Sequence, residues 1–271
     1  MIDILIPIGI LFGIALVCAV VLTLASKYFG VKEDETAAAI RDCLPGANCG
    51  ACGYSGCDGY AKALADKATD AVNLCVPGGD GTAKEIASIL GVEAADVVEQ
   101  VAYVACNGTC DAAKKDYIYR GQMTCYAANM AYSGEKSCKY ACLGYGDCAK
   151  ACPQNAISVE NGVAKVDPGK CIGCGICVRR CPNSIIHLIN DTSRVVVKCS
   201  SHDKGADTRK KCTNGCIGCM KCQKTCPHGA ITVENNLATI NYELCTGCGA
   251  CADVCPVHCI HKGNFYCAAR D

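Results

Sequence analysis

The sequence predicts an α+β protein with one N-terminal transmembrane helix, a small helical domain, and two copies of a unit built from short hairpins. Three observations carry this. An uncharged run from Ile4 to Ala25 opens the chain. A cysteine- and glycine-rich element follows between Asn48 and Cys75. From Cys138 onward the residues repeat with a period of 74 and no visible insertion.

Composition sets the chemistry before any element is placed. Twenty-nine cysteines in 271 residues far exceed ordinary usage. A disulfide framework belongs to short secreted chains in an oxidising compartment, and its gaps are irregular. Here the thiols recur as C-x2-C-x2-C-x3-C-P, a pattern that ligation of iron–sulfur clusters requires. Zinc also takes short C-x2-C pairs and is the weaker alternative. Zero formal net charge gives no footing for a nucleic-acid partner. With no tryptophan and three phenylalanines, metal ligation is expected to replace much of an aromatic core.

Residues 1–27 read as a membrane anchor. The 22 residues from Ile4 to Ala25 carry no charge, enough to cross a hydrocarbon layer of about 30 Å. A cleaved signal peptide is the alternative, but Met1-Ile2-Asp3 supplies no basic residue and the run is long for a signal. Lys27 and Lys32 follow it, so a single pass leaves the cysteine-rich part on the cytoplasmic side of the cytoplasmic membrane. Cys18, inside the run, reads as a small apolar residue.

Residues 28–100 form the expected helical domain. A charged connector and a short helix lead to Leu44-Pro45-Gly46, then to the thiols of Cys49, Cys52 and Cys57. A helix from Asp58 towards Leu74 delivers Cys75, and Thr82–Leu90 reads as a further capped helix. The C-x2-C-x4-C-x17-C set points to one four-iron cluster, with the surrounding glycines letting the backbone wrap it. Cys43 reads as a nearby non-ligand.

A cysteine-containing connector, 101–137, precedes unit 1 (138–198) and unit 2 (199–271). Cys148 and Cys152-Pro153 match Cys222 and Cys226-Pro227, and Cys171, Cys174, Cys177 and Cys181 match Cys245, Cys248, Cys251 and Cys255. Between them Ile157-Ser158-Val159-Glu160 and Ile231-Thr232-Val233-Glu234 alternate like strands and turn at Asn-Gly or Asn-Asn, so each reads as a hairpin. Each unit is a two-cluster bacterial ferredoxin-like fold. In such folds the fourth cysteine of one run ligates the other run's cluster. Cys216, Cys219, Cys222 and Cys255 are expected to hold one cluster, Cys245, Cys248, Cys251 and Cys226 a second, and Cys171, Cys174, Cys177 and Cys152 a third.

One run departs from the pattern. Tyr145 stands where Cys219 stands in unit 2. Cys138, four residues before Cys142, is the expected substitute, making a set of Cys138, Cys142, Cys148 and Cys181. Cys106, Cys110, Cys125, Cys199 and Cys212 remain. They either build a further cluster from Cys106, Cys110 and Cys125 with Cys199 or Cys212, or are reduced buried thiols. The expectation is therefore five [4Fe–4S] clusters, with a sixth left open. Cys259 and Cys267 read as free. No histidine triad is present, and no G-x-G-x-x-G follows a strand, so neither catalytic residues nor flavin or NAD binding is expected.

The order of a membrane helix, LPGANCGACGYSGC with Cys75-Val76-Pro77-Gly78-Gly79, and tandem ferredoxin units resembles the B component of the Rnf complexes, in its long, cysteine-rich variant. The resemblance implies an electron-relay subunit of an ion-translocating ferredoxin:NAD⁺ oxidoreductase. It implies soluble ferredoxin as donor, and membrane and NAD-binding subunits as partners. The related Rsx complexes contain a similar component. A similar first domain also occurs in iron–sulfur enzymes of one-carbon metabolism, where a cluster binds substrate, and Tyr145 is the one feature that favours that reading.

Overall fold

The computed structural model describes residues 12–24, 34–94 and 96–263. The expectation of a membrane-spanning helix is corrected here, because no helix among the described residues is long and apolar enough to cross a membrane. Residues 12–24 are helical. Residues 4–11, Ala25, Lys27 and Lys32 lie outside the described residues.

In the first domain, helices Glu35–Cys43, Cys57–Ala65 and Gly79–Leu90 close around Ile40, Tyr60, Leu64 and Ile86, all fully buried. The second helix begins at Cys57 because the Asn48 side chain accepts its amide at 2.9 Å, satisfying a donor that a helix start leaves open. A Cβ on Gly56 would meet that same Asn48 oxygen at 2.9 Å, with φ at +157°, so only glycine leaves room for this cap. The helix stops at Ala65, well before the expected Leu74. Lys67 turns left-handed at φ 54°, and Ala68 N–H closes on Ala63 C=O at 2.8 Å. The released chain doubles back, and the Tyr60 hydroxyl donates to Ala71 C=O at 2.6 Å. That reversal, rather than a longer helix, brings Cys75 home.

Four two-stranded antiparallel sheets build the repeat. Strand β2 (Ile157–Glu160) pairs with β3 (Val163–Val166), and β6 (Ile231–Glu234) with β7 (Leu237–Ile240), as the alternation predicts. The turns Asn161-Gly162 and Asn235-Asn236 all take positive φ, the geometry of a two-residue hairpin. The other two sheets are not legible as pairs in the sequence. Strand β1 (Gln100–Val104) pairs with β4 (Ile186–Asn190), and β5 (Val195–Val197) with β8 (Ile260–Lys262). Each unit thus opens with a strand that pairs with its own last strand, and β1 sits in the stretch expected as connector. Tyr242 packs against the cores of both units.

This pairing changes the register of the repeat. Strand β1 runs into Ala105-Cys106, and β5 into Lys198-Cys199. Cys106 is therefore the structural counterpart of Cys199, a place that the constant period of 74 assigned to Cys125. The first unit carries a longer excursion between Cys106 and Cys138 than the second carries between Cys199 and Cys212.

Candidate metal centres

The cysteine loops are aimed by backbone that cannot carry side chains. A Cβ on Gly144 would meet Gly162 O at 2.8 Å, and one on Gly218 would meet Asn236 Cα at 3.1 Å. In both units the glycine lets a cysteine loop lie directly on a hairpin turn. Amide donors then point at sulfur: Ala102 N–H to Cys171 Sγ at 3.4 Å, Ala156 to Cys152 at 3.3 Å, and Ala164 to Cys142 at 3.4 Å. Such donors stabilise a thiolate and whatever negative charge it shares with a metal.

Four of the expected groupings are brought together. Burial, then the neighbouring charges of Cys57, Cys49 and Cys52, push the Cys75 thiol up to about 11, although the Gly78 amide opposes this. Burial and then Cys171, Cys174 and Cys152 push Cys177 up to about 12. Cys222 is raised to about 11 by burial, opposed by the Gln223 amide, with Cys216, Cys219 and Cys255 adding their charges. Cys226, Cys245, Cys248 and Cys251 line one cavity of ≈ 340 Å³. In each unit the thiol preceding proline in one run lies with the three thiols of the other.

The remaining ferredoxin-type set is not brought together as expected. Cys142, Cys148 and Cys181 share a cavity of ≈ 350 Å³ with Cys125, not with Cys138. Burial, then Cys142, Cys125 and Cys181, push Cys148 up to about 12. The excursion peculiar to the first unit supplies the thiol. Its helix Cys125–Met130 is capped by Thr124, whose hydroxyl accepts Ala127 N–H at 3.2 Å. Tyr145 turns aside and meets Tyr119 edge-on at 5.8 Å. Cys138 lies elsewhere, lining a third cavity with Cys106, Cys199 and Cys212. The signal in the sequence was the excursion itself, which the uniform period concealed.

The remaining thiols divide cleanly. Cys43 Sγ donates to Ala39 C=O at 3.3 Å along its own helix. Cys110 is exposed. Cys259 is buried, 3.6 Å from Cys255 Sγ, and its hydrogen bond holds Cys255 down to about 5. Cys267 lies outside the described residues.

These groupings fit a polynuclear cluster better than one ion. Among the described residues no three His, Cys, Asp or Glu side chains converge closely enough to hold a single metal ion. The thiols instead line shared cavities four at a time, Cys125, Cys142, Cys148 and Cys181 one, and Cys226, Cys245, Cys248 and Cys251 another. Burial opposes ionisation of Cys75, Cys148, Cys177 and Cys222, and iron's positive charge would favour their thiolates.

One buried cation stands between two of the cavities. Lys136 is 5% exposed, and its ammonium donates to Gly108 C=O at 2.7 Å and Gly162 C=O at 2.8 Å. Its charge favours the thiolates of both Cys142 and Cys212. A fixed positive charge stabilises a reduced, more negative centre. Lys136→Met is expected to shift at least one centre to more negative potential in redox-titrated electron paramagnetic resonance, with iron content unchanged. Identical midpoints in the two proteins would rule out this electrostatic role.

Tandem units with crossed cysteine groupings, beside a separate four-cysteine domain, define an iron–sulfur electron-transfer protein of the bacterial ferredoxin type. Residues 44–77 match the family described as "Putative Fe-S cluster", residues 164–187 "4Fe-4S binding domain", and residues 211–262 "4Fe-4S dicluster domain". The B component of the Na⁺-translocating ferredoxin:NAD⁺ oxidoreductase complex of Acetobacterium woodii is 46% identical, over 95% of this chain and 77% of that protein. Its counterpart in the proton-translocating ferredoxin:NAD⁺ oxidoreductase complex of Clostridium ljungdahlii is 42% identical, over 93% and 88%. That of the ion-translocating oxidoreductase complex of Methanosarcina acetivorans is 40% identical, over 92% and 94%. The chain belongs to this family, the B components of the Rnf complexes, as an electron-transfer subunit carrying [4Fe–4S] clusters.

Proposed function

We propose that reduced soluble ferredoxin donates single electrons to this chain, and that the chain delivers them to the membrane and NAD-binding subunits of an ion-translocating complex. The supporting observation is the succession of cysteine groupings. Cys49 of the first domain lies beside Cys174 of unit 1, and Cys177 lies beside Cys148 of the next grouping. A [4Fe–4S] cluster supplies reversible one-electron chemistry, and the residues supply spacing, amide donors and cover from water. Unit 1 is the covered one: Cys171, Cys174 and Cys177 are buried, whereas Cys219 and Cys248 of unit 2 are exposed. In this reading Cys125, which lines the same cavity, is the fourth thiol of the Tyr145 run, so Tyr145 does not mark a substrate-binding cluster. The reading is tested by anaerobic stopped-flow reduction with reduced ferredoxin. Bleaching of the cluster absorbance within the mixing experiment supports it, and a chain that stays oxidised refutes it.

The first domain holds its own cluster in this reading, by Cys49, Cys52, Cys57 and Cys75. Cys57→Ala is expected to remove about four iron atoms and leave the units loaded, because these thiols are not crossed with any other run. Loss of all iron in the purified variant would show that the domain is not independent.

Ferredoxins are usually acidic, so the receiving surface should be basic and its encounter rate should fall with salt. By sequence the candidates are Arg179-Arg180, inside a ferredoxin motif, and Arg209-Lys210-Lys211, just before Cys212, with the first pair preferred for its nearness to a cluster. Arg179 instead donates to Cys49 C=O across the junction with the first domain. Lys211 pairs with Asp203 at 2.7 Å and Lys210 with Asp207 at 3.5 Å. Arg180 is exposed and borders the Cys125, Cys142, Cys148 and Cys181 cavity. Arg180→Glu is expected to slow reduction by ferredoxin several-fold at low ionic strength, with full iron content. An unchanged rate and salt slope would exclude this site.

A further inference from the structure

The four cysteine runs of the tandem units end alike, in cysteine, proline, two variable residues and a buried pair that leads into a strand. Four residues after the cysteine stand Ala156, Ile185, Ala230 and Cys259, each no more than 3% exposed. Each is followed by the isoleucine that opens β2, β4, β6 or β8. The place is core, and in three runs an aliphatic residue fills it. Only the last run puts a thiol there, and packing alone does not call for one.

Its contacts show what the thiol does. Cys259 Sγ lies 3.6 Å from Cys255 Sγ, and it also hydrogen-bonds the Cys216 sulfur. Both partners belong to the set of Cys216, Cys219, Cys222 and Cys255, one from the first run and one crossing over from the second. In unit 1 the backbone at the equivalent place already serves a sulfur, since Ala156 N–H donates to Cys152 Sγ at 3.3 Å. The Cys259 amide makes the same bond to Cys255, so its thiol is a donor added to the backbone one. Ligated sulfurs are thiolates, which accept and cannot donate, so the one proton among the three is that of Cys259. Hydrogen bonding to Cys216 and Cys255, with burial, pushes the Cys259 thiol up, which keeps that proton in place.

Reduction adds negative charge that a cluster shares with its sulfurs, and a donor aimed at those sulfurs stabilises the reduced state more than the oxidised one. We infer that Cys259 is a positioning residue whose S–H, donated to the sulfurs of Cys216 and Cys255, raises the reduction potential of the centre they help to hold. No bond forms or breaks: the electron enters the cluster, and the proton stays on Cys259. The centre of Cys245, Cys248, Cys251 and Cys226 has Ala230 at the equivalent place and gains no such donor. Two centres of unit 2 that are alike in ligands are thereby made unequal. This inference rests on the proposal that Cys216, Cys219, Cys222 and Cys255 hold a cluster.

Redox-titrated electron paramagnetic resonance on the anaerobically purified full chain compares wild type with Cys259→Val and Cys259→Ser. Valine fills the space as Ile185 does in unit 1 and offers no donor, whereas serine keeps one. In Cys259→Val one centre is expected to shift to more negative potential, its reduced fraction at the wild-type midpoint falling several-fold, with iron content unchanged. Cys259→Ser is expected to recover part of that shift. A second measurement requires no variant to fold. The reduced-minus-oxidised infrared difference spectrum of the wild type should contain an S–H stretching band that moves to lower frequency on reduction, as the acceptor sulfur gains charge. A difference spectrum without an S–H band overturns the inference, and so do unchanged midpoints in Cys259→Val or equal midpoints in the two variants. Loss of about four iron atoms from Cys259→Val would make Cys259 a ligand, which overturns it equally. Full iron content in Cys222→Ser is a different result: it refutes the grouping itself, and the inference with it.

Discussion

Cys125→Ala removes one cluster, about four iron atoms per chain, while Cys110→Ala, fifteen residues earlier in the same excursion, removes none. The contrast follows from placement. Cys125 is 8% exposed and shares a cavity with Cys142, Cys148 and Cys181, whereas Cys110 is exposed. Tyr145 cannot stand in for the missing thiol, since its ring is turned onto Tyr119. Cys138→Ala, whose thiol lines a different cavity, should leave this cluster in place. Loss of this same cluster in Cys138→Ala would return Cys138 to the set. Iron and acid-labile sulfide assays on anaerobically purified protein decide between these outcomes. Retention of full iron in Cys125→Ala would remove this residue from the ligand set.

Stripping the iron should unfold the tandem units rather than leave an empty scaffold. The unit 1 core is built from short aliphatic residues and the thiols Cys106, Cys142, Cys148, Cys171 and Cys177. That of unit 2 includes Cys216, Cys222, Cys251 and Cys255. Without clusters these thiols lose the ligation that ties together segments distant in the chain, and binding free energy of that kind is folding free energy. An ordinary domain is held by only about 5–15 kcal/mol, and two-stranded sheets add little stability of their own. The expected result after anaerobic chelation under reducing conditions is loss of near-ultraviolet circular dichroism and of any cooperative thermal transition. The first domain should be the last part to retain helix, because Ile40, Tyr60, Leu64 and Ile86 form an apolar core apart from its thiols. A cluster-free protein that still melts cooperatively with native dichroism would show that the aliphatic residues suffice.

Local spacing determined most of what this protein is. A run of C-x2-C-x2-C-x3-C-P allows few structures, because cubane ligation dictates both the intervals and the glycines that aim the loops. The alternation around Asn161-Gly162 and Asn235-Asn236 was enough to place both hairpins, since strand period and turn chemistry are properties of neighbouring residues. The membrane helix was an inference from composition alone, and no helix among the described residues bears it out. What the sequence could not decide was which distant thiols meet. Spacing pointed to Cys138 for the Tyr145 run, and a constant period aligned Cys125 with Cys199. The pairing of β1 with β4 and of β5 with β8 reset that alignment and carried Cys106 to the place opposite Cys199. Sheet pairing between segments so far apart in the chain depends on the strand edges each unit leaves open, not on any local pattern. Which thiols neighbour Cys106 and Cys125 is therefore decided by the tertiary fold and not by spacing.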